Sequence, residues 1–130
     1  MDIKKFRQIV ALAVDDLPEE FRKALNNIEV IVEDWPTDEE LDHFEEREGL
    51  KEGEGDWLLL GLYQGVPLGK RDPQFYNMVL PDRITLFRES IEELCGGDEV
   101  SIQDEIRRTL LHEVRHYFGM DDEKLRKLGY

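Results

Sequence analysis

Two of the chain's three histidines stand four residues apart with a glutamate between them, in His112-Glu113-Val114-Arg115-His116. Those residue types at that spacing suit a divalent ion held on a helix. At about 100° per residue, positions four apart differ by about 40° in azimuth and one turn in height. Both imidazoles can then reach one zinc ion, and neutral imidazole is a good zinc ligand. Glu113 sits beside them, able to take a proton from water at the ion without occupying the ion itself. The segment matches H-E-x-x-H, which a chain of this composition should show by chance about once in 100.

Gly119 and Asp122 follow, seven and ten places after His112. If the helix continued, Asp122 would lie about 15 Å further along the axis and on the wrong side. A left-handed glycine at the helix end permits a sharp reversal. Asp122 then becomes the candidate third ligand, with Asp121 and Glu123 as adjacent competitors.

The helix that must carry the motif is predicted over about residues 102–118, capped by Ser101. With His112 set at 0° on a helical wheel, Ile102, Ile106, Leu110, Leu111, Val114, Tyr117 and Phe118 fall at roughly 80° to 260°. One side therefore packs in a core and the histidine side opens away from it. Arg107 falls inside the apolar sector, where its stem either snorkels or its head meets a buried carboxylate.

Upstream, Phe6, Ile9, Val10, Ala13, Val14 and Leu17 recur at helical steps, giving an amphipathic helix over about 2–16. Pro18 suits the first turn of a second helix, with Glu19 and Glu20 at its positive end. Ile28, Val30 and Val32 alternate with acids as a strand. Thr37 with Glu40 forms a capping box for a short helix bearing Leu41 and Phe44. Residues 45–56 are acidic and Gly-rich, and are expected to be a mobile solvated loop. Trp57–Tyr63 and Arg83–Phe87 read as further strands, with irregular polar chain over 69–77. Ser90 and Glu93 form another capping box, and Gly96-Gly97 stops that helix. Helices, then strands, then helices give an α+β class, with about three strands packed on helices in one domain over 1–130.

Composition limits the function. Lys+Arg number 17 and Asp+Glu 31 in 130 residues, a formal charge of −14. Nucleic-acid backbone needs basic patches, so no nucleic-acid partner is expected, and the same charge disfavours an anionic membrane. The single cysteine, Cys95, excludes an internal disulfide and reads as a packing residue. His43 reads as a solvated helix residue. No signal peptide or spanning segment is visible, so a cytoplasmic protein is the expectation.

The string His112-Glu113-x-x-His116-x-x-Gly119-x-x-Asp122 resembles the extended zinc motif of the zincins, with Asp in place of a third His. More closely, the chain resembles the small bacterial zincin-like metallopeptidase domain family over nearly its whole length. The resemblance runs through Leu17–Phe21, Leu60–Leu68, Leu80–Arg88, His112–Asp122 and Leu125–Tyr130. It implies a minimal zincin-like fold with the metal-site helix near the C-terminus. It also implies Zn²⁺ on His112, His116 and Asp122, with Glu113 as general base. The implied activity is peptide-bond hydrolysis by zinc-activated water. Oxyanion help falls to Tyr63, Tyr76, Tyr117 or Tyr130, and strand Leu58–Tyr63 or Arg83–Phe87 pairs with an extended peptide or protein substrate. The alternative is a catalytically silent metal-binding module that engages a protein partner. The sequence ends eight residues after Asp122, and no Met-turn lies downstream, so weak general proteolysis is expected.

Overall fold

A computed structural model describes residues 1–55, 59–65 and 82–119. Expectations placed on Trp57 and Leu58, on residues 66–81 and on residues 120–130 lie outside those residues. Among them are Tyr76, Asp121, Asp122, Glu123 and Tyr130.

The first helix, α1 (Ile3–Asp15), starts where the Asp2 carboxylate accepts the Lys5 N–H at 2.8 Å, and it buries Phe6, Val10 and Ala13. That is the predicted apolar stripe. Pro18 stands at the N-cap of α2 (Glu19–Ala24) rather than inside its first turn. A single 3₁₀ turn, Leu25–Asn27, then leads into β1 (Glu29–Glu33).

The capping box forms as expected. Glu40 N–H donates to Thr37 Oγ1 at 3.1 Å, and Thr37 N–H donates to Glu40 Oε1 at 2.9 Å. The helix it starts, α3 (Asp38–Glu48), outruns the expectation. Residues 45–48 are its last turn, not loop, and Gly49 closes it in the left-handed region at φ 69°. The chain beyond is tied back, because Gly55 N–H donates to the buried Glu45 carboxylate at 2.9 Å. An acidic run that reads as solvated thus has one of its carboxylates inside.

Three strands pair in the order β1-β3-β2, with β2 spanning Gly61–Gln64 and β3 Arg83–Phe87. β1 runs parallel to β3 and β2 antiparallel to it. The parallel pair requires a crossover, and α3 lies within it. Central β3 buries Ile84, Thr85, Leu86 and Phe87. Alternation along the strands sends Tyr63, Ile84 and Leu86 into the main core with α1 and α5. It sends Leu62 and Phe87 to the other face, against Leu41 and Phe44 of α3.

Two helix starts differ from expectation. α4 (Arg88–Cys95) follows β3 directly with Phe87 at its N-cap and no side-chain cap, so Ser90 and Glu93 form no capping box. Gly96 ends it in the left-handed region as expected. α5 (Glu99–Phe118) is capped by Asp98, not Ser101. The Asp98 carboxylate accepts both the Ser101 amide, at 3.0 Å, and its hydroxyl, at 2.7 Å. A charged acceptor three residues earlier outcompetes the serine for the cap. Arg107 does not meet a buried carboxylate: it is exposed, and its head faces the exposed Asp16 at 3.7 Å. No helix among the described residues is long and apolar enough to cross a membrane.

Candidate metal centre

Helix α5 orients the site by what it buries. Ile102, Ile106, Leu110, Val114 and Tyr117 are buried, with Leu111 and Phe118 partly so, which turns the histidine side outward. His112 is exposed and His116 half-buried. Their Nε2 atoms lie 3.3 Å apart. Two nitrogens at about 2.0–2.1 Å from a tetrahedral zinc ion are separated by about 3.3–3.4 Å. The separation therefore matches that of two ligands on one zinc-sized ion. Burial, then the charges of Arg47 and His112, lower the His116 pKa to about 4, so its ring is neutral and ready to ligate at pH 7. Arg115 Nη2 approaches His112 Nε2 at 3.4 Å.

Glu113 is turned about 100° from His112 and is only 2% exposed. Its two carboxylate oxygens have different surroundings. Oε1 accepts the Tyr63 backbone N–H at 2.7 Å and lies 3.9 Å from Arg47 Nη1. Oε2 lies 3.9 Å from His112 Nε2. Burial raises the Glu113 pKa to about 7, against the opposing pull of Arg47, the Tyr63 amide and Arg115. A carboxylate with that value is matched to taking and returning a proton near neutral pH.

The Tyr63 amide belongs to β2, an edge strand beside α5. Their close approach explains Gly61: a Cβ there would lie 2.5 Å from Thr109 Cγ2 of α5. A groove of about 490 Å³ runs along this seam, lined among others by Phe44, Leu50, Leu60, Gly61, His112 and Glu113. Of the two strands expected to meet a substrate, β3 is central and paired on both sides, whereas among the described residues β2 has a strand on one side only and Gly61 lines the groove.

The oxyanion candidates narrow. The Tyr63 hydroxyl donates to Asp82 Oδ2 at 2.8 Å in the interior. Tyr117 is buried, with its ring edge-on to Tyr63. His43 is exposed on α3 and Cys95 packs against the core, as expected. Sequence reasoning overlooked Arg47, which lies on the stretch read as loop. Gly49 was the available signal, since a glycine stop carries α3 from its capping box through Arg47. It also overlooked the Tyr63 backbone, for which no local signal exists.

An α+β domain with His112, Glu113 and His116 gathered on one helix, beside an edge strand of the described sheet, presents a group that could hold a metal ion. The family model of the zincin-like metallopeptidases matches residues 25–130, and the chain belongs to that family. No curated protein matches it. Among solved structures it is similar to a conserved hypothetical protein from Thermo thermophilus. The two are 23% identical over 91% of this chain and 94% of that one, with a TM-score of 0.57. That likeness is one of fold.

Proposed function

We propose that the protein is a zinc-dependent peptidase, with His112 and His116 as ligands, Asp122 as the third, and Glu113 as general base. The observation that carries the reading is the 3.3 Å spacing of the two imidazole nitrogens beside a buried, proton-poised carboxylate. When bound, zinc supplies Lewis acidity and lowers the pKa of water held in an open position. The remaining steps belong to the chain. Glu113 Oε2, on the side of His112, accepts a proton as water attacks the peptide carbonyl and passes it to the leaving amine. The Tyr63 amide holds Oε1 through both transfers. The β2 edge at Gly61 pairs with extended peptide, and Phe44, Leu50 and Leu60 give the groove an apolar wall for one of its side chains.

The test is elemental analysis together with a mixed peptide library. Wild type should carry about one zinc per chain, and a His112→Ala/His116→Ala double variant none. Equal metal in the two sinks the assignment. Zinc retained with no cleavage at low or high salt would instead favour a silent scaffold that binds a protein partner. Both salt conditions matter because a chain at −14 repels acidic peptides until screened.

A further inference from the structure

We infer that Arg47 of α3 is a positioning residue for Glu113, an inference that rests on the peptidase reading. Three elements meet at one carboxylate oxygen. Glu113 Oε1 receives the Tyr63 N–H at 2.7 Å from β2. Arg47 Nη1 faces that oxygen at 3.9 Å and the Tyr63 carbonyl oxygen at 3.4 Å. The cation thus spans the general base and the strand residue that holds it. Arg47 is itself held, with its guanidinium 5.7 Å from the centroid of the Phe44 ring and its Nε donating to Glu48 Oε1 at 3.2 Å.

The arrangement fixes the orientation of the Glu113 carboxylate. A carboxylate can rotate about its last bond and present either oxygen outward. With a strand N–H bonded to one oxygen and an arginine beside it, turning the carboxylate plane out of this orientation would lose both contacts, so the other oxygen is kept toward His112. The Arg47 charge also lowers the His116 pKa. The atoms its Nη1 faces, however, are Glu113 Oε1 and the Tyr63 carbonyl oxygen, so its positioning role falls on Glu113. The guanidinium is a fork of parallel donors, a shape that lysine reproduces in charge but not in geometry. A base held in one rotamer starts each turnover in register with its proton, and small misplacements of such a group are costly in rate.

The experiment uses zinc-loaded full-length protein and two variants, Arg47→Met and Arg47→Lys. Arg47→Met should lower kcat about 10–100-fold with KM nearly unchanged, and Arg47→Lys should recover part of the loss. Zinc content should stay the same in both. A zinc-binding peptide hydroxamate, which meets the general base when bound, should bind more weakly to Arg47→Met. In a Glu113→Gln background, Arg47→Met should weaken it no further. Unchanged kcat, a rise in KM alone, lost zinc, or an equal loss in the Glu113→Gln background would each overturn the inference. If Arg47→Met does not fold, full activity in Arg47→Lys overturns it and partial activity supports it. Zinc-loaded wild type that neither cleaves peptides nor binds the hydroxamate overturns the peptidase reading and this inference together. An active wild type matched by both variants overturns this inference alone.

Discussion

Glu113 and Glu40 are both buried, on helices that cover opposite faces of the same sheet, and they are partnered in opposite ways. Glu113 has an amide and an arginine at one oxygen and turns the other toward a histidine. Glu40 uses Oε1 in the α3 capping box, and its Oε2 is buried with no hydrogen-bond donor. Its neighbour is another acid, Glu33, whose carboxyl is pushed above the usual range by burial and then by Glu40, against the pull of Arg83. Burial alone therefore does not mark a working carboxylate. In the proposed reading, what marks Glu113 is a donor on one oxygen and a histidine in the direction of the other, whereas an acid pressed against a second acid is the by-product of a helix cap.

The largest effect that would break this contrast is at Glu113. Glu113→Gln should keep zinc and lose about 10²–10⁴-fold of any peptidase rate, since Gln is isosteric but accepts no proton. Turnover of a peptide library and elemental analysis read both halves. A variant stripped of metal would make Glu113 a ligand and erase its role as base.

Next in size is Gly61→Ala, which presses on Thr109 and pushes β2 away from Glu113 while leaving Glu40 untouched. Overpacking of this kind destabilises by about 1–3 kcal/mol, readable as a lower urea midpoint. An unchanged midpoint would mean that the seam between β2 and α5 is looser than described.

A smaller effect of opposite sign belongs to Glu40. Glu40→Gln keeps the capping acceptor and places an N–H₂ where Oε2 had no donor, so it should stabilise by about 1 kcal/mol at pH 7. The gain should shrink in acid, where a protonated Glu33 already supplies a donor. Destabilisation at neutral pH would show that the acid pair is not the weak point.

The smallest effect is a slope. In the metal-free chain, the raised Glu113 contributes stability that is full below 4.5 and lost as pH rises through about 7. The lowered His116 contributes stability that is full above 6.5 and lost as pH falls through about 4. The two slopes oppose each other. Glu113→Gln removes the first, so with chelator present it should lose stability between pH 6.5 and about 4 more steeply than wild type. Urea midpoints across that range decide it, and parallel profiles would contradict it.

Much of this was legible in residue order. Periodicity located α1 and the buried stripe of α5, and alternation located β1 and β3. The histidine spacing was local geometry, so the facing nitrogens followed from it. What stayed hidden is what depends on other elements. Residues 45–48 look solvated because charge dominates their composition, yet Glu45 turns inward and Arg47 reaches the site. Asp98 and Ser101 are both good caps, and only the folded turn shows the acid accepting from the serine. The bond from Tyr63 to Glu113 spans 50 residues, and no local pattern encodes it.

That bond has a second consequence, for how copies of the chain behave in concentrated solution. An exposed strand edge is a template on which another chain can add, and such growth leads to aggregates. β2 is only four residues long, and alternation turns the N–H and C=O of Gly61 and Tyr63 away from β3. Glu113 takes the Tyr63 amide and Arg47 approaches its carbonyl. Within β2, that leaves the pair at Gly61, which faces a groove rather than open water. The contacts that aim the carboxylate also occupy the outward groups of Tyr63, so among the described residues this edge can seat one short peptide but gives no long template on which copies of the chain could add in succession.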